Sequence, residues 1–180
     1  MFYHKDIGFR PVEKCDLELI RKLRNHPSTY LYLTDVTQIN PDMQDRWFES
    51  ISKAKDKAYF SIFKEEKDFP VSYEGEFLGL IRTDQLDYIN RSIRVGCDIV
   101  PEQRGKGYGT KAFEMILKFH FDHMGMHRIW LLTLENNEIA RRLYKNARLK
   151  EEGLFREAIW RDGKWHNLVV MSILEDEYRQ

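Results

Sequence analysis

The sequence predicts a mixed α/β layer fold, and three observations carry that reading. Short runs rich in β-branched and aromatic residues, at 58–63, 77–82 and 92–100, are separated by breakers. After Gly109 the apolar positions Phe113, Ile116, Leu117, Phe121 and Met124 follow a 3.6-residue period. Near the end, Asp162-Gly163 sits between two strand-like runs, a strong hairpin signal.

In chain order, residues 7–12 alternate weakly and form the first strand. Asp16 is placed to cap a helix from Leu17 to about Arg24, with Leu17, Ile20 and Leu23 on one face. Asn40-Pro41 pairs a capping residue with proline at the first helical position, and Trp47, Phe48 and Ile51 continue that helix to about Lys55. The three strand runs are parted by Pro70 and Gly75 and then by 87–91, connections too short for parallel crossovers, so an antiparallel meander is expected. The long helix after Gly109 ends at Gly125. Residues 128–134 are almost continuously apolar, as in a strand buried on both faces. A helix over 137–146 and strands over 149–160 and 165–174 complete seven strands and about four helices.

The 180 residues suit one domain, and with no internal repeat and no Ser/Gly- or Pro-rich linker the chain reads as a single domain over 1–180. Apolar residues at 42% offset the 32% charged fraction, so the chain folds. Lys plus Arg equals Asp plus Glu at 29 each, which leaves no overall field for nucleic acid or an anionic membrane. No apolar run approaches the roughly 20 residues of a membrane span. Residues 1–10 lack a signal-peptide core, and the expected location is the cytoplasm. Cys15 and Cys97 form no pairing framework and read as core fillers, in keeping with a reducing compartment.

The sharpest local feature is Arg104-Gly105-Lys106-Gly107-Tyr108-Gly109-Thr110, between a strand and the long helix. A glycine-rich turn into a helix presents several N–H groups at the positive end of the helix dipole and can cradle a phosphate, with Arg104 and Lys106 adding charge. It is not a Walker loop, because Gly107 follows Gly105-Lys106 where Ser or Thr is required. The dinucleotide fingerprint does not fit either. A plain tight turn is the bland alternative.

These residues resemble the R-x-x-G-x-G/A acyl-CoA loop of the GNAT superfamily of N-acetyltransferases. Glu135-Asn136-Asn137-Glu138-Ile139-Ala140-Arg141-Arg142-Leu143-Tyr144 is similar to that family's N-x-x-A-x-x-L-Y block, and 153–171 resembles the C-terminal hairpin of its ribosomal-protein and polyamine branch. Arg24-Asn25-His26-Pro27, Trp47 and Tyr59-Phe60-Ser61 look most like members acting on nucleotide-linked amino sugars, such as the pseudaminic acid pathway type. The resemblance implies a sheet splayed between its fourth and fifth strands, acetyl-CoA as co-substrate with no metal, and direct attack by a primary amine on a small molecule. A polyamine or a protein N-terminus is the alternative acceptor, and a non-catalytic acyl-CoA sensor is the alternative class. Association into a homodimer is left open.

The resemblance also assigns roles. Asn137 contacts the pantetheine arm, and Tyr144 is the candidate acid for the departing thiolate. Backbone amides around Asp98, Ile99 and Val100 polarise the thioester carbonyl. Asn25, Trp47 and Tyr88 are the candidate substrate contacts. The base is not evident: where some relatives place Glu two residues before the strand glycine, here Gly96, this chain has Arg94, and the fifth strand offers only Leu131-Leu132. Asp98 is the nearest acidic candidate, with a water path as the alternative. Arg148 stands where relatives carry glycine, which suggests a different helix exit.

Three other features read as structural. His120, His123 and His127 have helical metal-ligand spacing, yet Gly125 interrupts them and they read as surface histidines. Trp47, Tyr88, Trp160 and Trp165 could stack on a base but read as packing residues. Glu175-Asp176-Glu177 reads as a solvated end.

Overall fold

In the computed structural model, which describes residues 6–64 and 75–180 and the backbone of 2–4, the strand runs assemble into one eight-stranded sheet of order β1-β2-β3-β4-β5-β6-β8-β7. Its strands are β1 Phe2–His4, β2 Ile7–Pro11, β3 Ala58–Lys64, β4 Phe77–Asp87, β5 Ser92–Ile99, β6 Arg128–Leu134, β7 Lys150–Arg161 and β8 Lys164–Leu174. β1 is a short edge strand hairpinned onto the seven expected ones, so the predicted fourth and fifth strands are β5 and β6. Pro70, read as a breaker, lies outside the described residues. The helices are α1 Leu17–Asn25, α2 Pro27–Tyr30, α3 Pro41–Ser52, α4 Tyr108–Lys118, α5 Glu138–Asn146 and α6 Glu175–Arg179. None is long and apolar enough to cross a membrane.

The helix signals act as expected at α3, where the Asn40 side chain accepts the Met43 N–H at 2.9 Å and Pro41 opens the first turn. At α1 they do not. Asp16 makes no capping bond to α1; its carboxylate is buried against Arg10 at 2.7 and 2.9 Å, accepts from Ser61, and accepts the Glu13 N–H to close a capping box on the 3-10 turn Lys14–Asp16 that precedes α1. A buried cation on β2 outcompetes the cap because an unpaired guanidinium there would be far costlier than an uncapped helix end. Cys15, beside it, is exposed rather than a core filler.

Two apolar clusters fix the layers. On one face, Phe113, Ile116 and Leu117 of α4 pack with Phe9, Ile62, Ile81, Ile93 and Ile129. On the other, Ile20 and Leu23 of α1 meet Val12 and Leu80, with Trp47, Phe48 and Ile51 of α3 closing the edge. Phe113 is fully buried, and its truncation to Ala would cost about 3–5 kcal/mol.

Several termini depart from the sequence reading. Arg148 has φ 67°, and the Leu149 N–H donates to Tyr144 O at 3.0 Å, so the α5 exit takes the left-handed form usual for glycine and is not a different exit. The acidic tail is not a solvated end: it forms α6, with Tyr178 stacked on Phe121 at 4.7 Å and Glu175 and Glu177 paired to Arg91 and Lys150. His120 is not a surface residue but 1% exposed, on a π-turn at Phe119–His123 that follows α4. Asp162 and Gly163 both have positive φ, the mirror-image turn a two-residue hairpin needs.

The feature that matters for function lies at the centre of the sheet. β5 and β6 are its one parallel pair, and they pair only at Ser92↔Arg128, Ile93↔Ile129 and Arg94↔Trp130. Beyond Arg94, β5 stays with β4 as far as Gly79↔Ile99, while β6 stays with β8 as far as Leu134↔Leu168. Gly79 holds β5 to its side: a Cβ there would lie 2.1 Å from the Asp98 carbonyl oxygen, so only glycine permits that approach. The two strands therefore diverge and leave a gap.

Candidate active site

The gap encloses a cavity of about 120 Å³ between the diverging strands. Val95, Cys97 and Asp98 of β5 face Leu132 and Thr133 of β6, and Asn137, Ala140 and Tyr144 of α5 close one end. Tyr32, Leu33 and Thr34, from the segment after α2, cover the other. That segment is anchored by Arg161, whose guanidinium donates to Leu33 O at 2.7 Å.

The Val100 N–H donates to Leu78 O at 2.9 Å, and the β4–β5 register runs unbroken from Gly79↔Ile99 to Asp84↔Arg94. By alternation, the backbone groups of Asp98 and Gly96 also turn to β4, whereas those of Ile99, Cys97 and Val95 face the gap. Of the three backbone amides expected there, Ile99 alone is free to meet a carbonyl oxygen; those of Asp98 and Val100 are spent on the sheet. The Cys97 N–H also faces the gap, and the residue both packs against the core and lines the cavity.

At the end of the gap, Gly105 and Gly107 have φ of 76° and 85°, and a Cβ built on either would meet nothing within 4 Å. The loop is open on its outer side. Gly107 precedes α4, whose first N–H groups, those of Tyr108, Gly109 and Thr110, have no partner within the helix. A Cβ on Gly109 would come within 3.0 Å of Leu143, so this glycine lets α4 start against α5. Tyr108 contributes backbone only, because its ring is buried in the core under Lys111. Lys106 is exposed and bonds to Gln103 at 2.8 Å. Arg104 does not lend its charge to the loop: its guanidinium donates to Ser28 O and Oγ, Thr29 Oγ1 and Ile99 O, and so ties α2 to the end of β5.

Asn137 caps α5, its Oδ1 accepting the Ala140 N–H at 3.2 Å, while its side chain lines the cavity. The Tyr144 ring packs on Phe113 at 5.1 Å, and its hydroxyl makes no hydrogen bond among the described residues. Burial, with Cys97 and Asp98 adding to it, pushes this phenol well above its ordinary range. Burial likewise pushes the Cys97 thiol up to about 12, so it holds its proton and is no nucleophile. Asp98 lines the cavity 3.0 Å from Arg82, and Asp84 is held by both arms of Arg94.

The candidate substrate residues do not gather here. Asn25 gives both ends of its amide to the Ile39 backbone at 2.7 and 2.8 Å and so braces the segment after α2. Trp47 packs edge-on against Tyr59 at 5.0 Å under α3. Tyr88 is 67% exposed on the β4–β5 turn, at the end where β5 and β6 are still paired. The sequence reading drew Asn25 rather than Arg24 from the Arg24-Asn25-His26-Pro27 stretch, and it missed Arg82, whose strand position carried no motif. Among the described residues, no group of three metal-ligating side chains converges.

A sheet parted between two parallel strands, with a glycine loop at a helix N-terminus beside the opening, defines the class of acyl-CoA-dependent acyltransferases. The acetyltransferase (GNAT) domain family matches residues 6–150, and the chain belongs to that family. It is therefore an N-acetyltransferase that takes its acetyl group from acetyl-CoA. Spermidine N(1)-acetyltransferase of Escherichia coli K12 is 25% identical over 179 residues, covering 96% of this chain and 88% of that protein. YdaF of Bacillus subtilis, provisionally named a ribosomal N-acetyltransferase, is 27% identical over 97% of this chain and 94% of its own. A Vibrio cholerae spermidine N-acetyltransferase crystallised with CoA and spermine shares the fold at a TM-score of 0.88 and 23% identity, covering 97% of this chain and 99% of that one. These relatives correct the finer resemblance: they are named for spermidine and ribosomal acetylation, not for nucleotide-linked amino sugars.

Proposed function

We propose that this chain acetylates the primary amine of a small molecule inside the β5–β6 gap. The observation that carries the reading is the gap itself, with the backbone N–H groups of Ile99 and Cys97 facing it on one wall and Tyr144 among its lining residues. The residues fit acetyl-CoA. Gly105, Lys106 and Gly107 with the α4 N-terminus would hold its phosphates, and Asn137 with the gap would hold the pantetheine arm. Acetyl-CoA supplies an activated thioester, so in the net reaction a C–N bond forms, a C–S bond breaks, and one proton passes from nitrogen to sulfur.

Tyr144 keeps its proton at Oη across the physiological range and is the group able to give it to an anion developing in the cavity. Ile99 and Cys97 N–H groups are fixed donors for a carbonyl oxygen that gains charge. Asp98 serves as the counter-ion of Arg82, and the amine loses its proton to water. The names of the relatives make a polyamine the first acceptor to test. The continuous sheet from β1 to β8 supports one domain over 1–180. Free thiols and acetyl-CoA use support the cytoplasm. Leu154, Phe155, Trp160 and Trp165 are exposed on the β7–β8 hairpin and support self-association, which light scattering measures.

The test is CoA release from acetyl-CoA across a panel of amines, with thermal unfolding read in parallel. Acetyl-CoA at 100 times its dissociation constant should stabilise the fold by about 2.7 kcal/mol. Neither CoA release nor stabilisation would reject the reading.

A further inference from the structure

On the side of the gap that faces α1, Arg24 makes three guanidiniums with Arg82 and Arg94 against the two carboxylates of Asp84 and Asp98. Arg82 and Arg94 line the cavity, and each of the two carboxylates that line it with them lies beside one of these guanidiniums. Asp84 accepts from Arg94 at 2.6 and 2.8 Å, and Asp98 is paired to Arg82 at 3.0 Å. Arg24, near the end of α1, lies within electrostatic reach of Arg82 and Asp98, yet makes no hydrogen bond or ion pair among the described residues. Among the described residues the Nε atoms of Arg24 and of Arg82, and Oδ2 of Asp98, are buried without a hydrogen-bond partner.

The surrounding charges do not settle this excess. Asp35 is shared between Arg24 and Arg161, and Arg104 is opposed by Glu102 and Asp98 while giving its hydrogen bonds to neutral oxygens. Arg24, Arg82, Arg94, Arg104 and Arg161 thus stand against Asp35, Asp84, Asp98 and Glu102. Two neighbouring guanidiniums repel, and a buried charged donor without an acceptor is costly. An anion entering from solution removes both deficits at once, because guanidinium is suited to forked recognition of phosphate and carboxylate. A polyamine, which brings only cations and N–H donors, would meet two carboxylates that each already have a guanidinium counter-ion, with Asp98 Oδ2 the one carboxylate oxygen buried there without a hydrogen bond among the described residues.

We propose that the acceptor amine also carries an anionic group, a phosphate, diphosphate or carboxylate, and that Arg24 and Arg82 hold it. This rests on the N-acetyltransferase reading of the same gap. Arg24 is then a specificity-determining residue, and the reacting amine lies toward Tyr144 while the anion lies toward α1.

The experiment compares CoA release with spermidine, glucosamine, glucosamine 6-phosphate, a UDP-linked amino sugar and lysine. The last three present a phosphate monoester, a diphosphate and a carboxylate, so the best of them names the source of the anion. At least one should exceed glucosamine and spermidine by about tenfold or more in kcat/KM. Arg24→Gln should raise KM for that amine about tenfold, with kcat changed less than about threefold and the KM for acetyl-CoA unmoved. Arg24→Lys, which keeps the charge without the planar fork, should fall between and serves if the first variant does not fold. Calorimetry on CoA-saturated protein should show heat with the anionic amine and none with its neutral analogue. Equal or better turnover of spermidine or glucosamine, an indifferent Arg24→Gln, or no heat with any anionic amine would overturn the proposal. Failure of the enzyme reading is separately visible as no acetyl-CoA binding at all.

Discussion

The Arg82 guanidinium lies over Gly96 on the neighbouring strand: a Cβ on Gly96 would stand 3.0 Å from Arg82 Nη2. The two residues are register partners across β4 and β5, so the bare glycine is what allows Arg82 to lie flat along the gap and reach Asp98. Gly96→Ala should displace the end of this flexible side chain and leave the strand intact. Its unfolding free energy should fall by about 1 kcal/mol or less. KM for the amine should rise, about tenfold, while acetyl-CoA affinity holds. Steady-state kinetics beside a urea titration would check this, and an unchanged KM would detach Arg82 from the acceptor.

Tyr144→Phe removes the hydroxyl and keeps the ring that packs on Phe113. If Tyr144 gives the proton to sulfur, kcat should fall roughly 100-fold with acetyl-CoA affinity unaltered. Because burial raises this phenol, its acid form persists, and the wild-type rate should show no alkaline decline on its account up to about pH 10. A variant with wild-type kcat would remove Tyr144 as the acid.

Much of this site was legible in the sequence because its parts are local. The glycine loop, the Asn137 cap and Tyr144 each lie within one turn or helix, where spacing fixes geometry. The acceptor wall was not legible, since it is made by register: Arg82, Gly96 and Asp98 come together only when β4 and β5 pair, and Arg24 arrives from α1 across the sheet. Asn25 misled for the same reason, because its partner Ile39 is fourteen residues away and no local pattern announces the bond. Asp16 was read as a cap on local grounds, while Arg10 claims it through the fold. Tail packing was hidden as well: Tyr178 finds Phe121 only after β8 has crossed the sheet.

Gly107 has φ 85°, a conformation a β-branched residue adopts only under strain. A Cβ there would meet nothing within 4 Å, so a larger side chain would extend from the residue that immediately precedes α4 into the open space beside it. Gly107→Val should therefore weaken acetyl-CoA binding by about 100-fold or more while lowering stability by about 1–3 kcal/mol. Calorimetry with CoA on the folded variant checks it. Retained affinity would place the phosphates elsewhere.

Asp98→Asn distinguishes a counter-ion from a base. As the partner of Arg82 it takes no proton from the amine, so the pH dependence of kcat/KM should superimpose on that of the wild type. Removing the negative charge makes the wall more cationic and should lower KM for an anionic amine, by about threefold or more. A lost or displaced basic limb in the pH profile would instead make Asp98 the proton acceptor.

His120 sets an acid limit on stability. It is 1% exposed, its Nδ1 meets Met124 Sδ at 3.2 Å, its Nε2 has no hydrogen-bond partner among the described residues, and burial pulls its pKa down to about 4. In the unfolded chain the ring titrates near 6.5. Between these values the unfolded state binds the additional proton, so the stability present above about pH 6.5 is lost as pH falls toward 4. The full loss from this residue is about 3 kcal/mol. His120→Leu removes the titrating ring and keeps an apolar side chain in its place. The gap in unfolding free energy between the two proteins should therefore shift in favour of the variant by about that amount from pH 7 to pH 4. Urea titrations at intervals across this range measure it, and parallel stability curves would show that protonation of His120 is tolerated in the folded state.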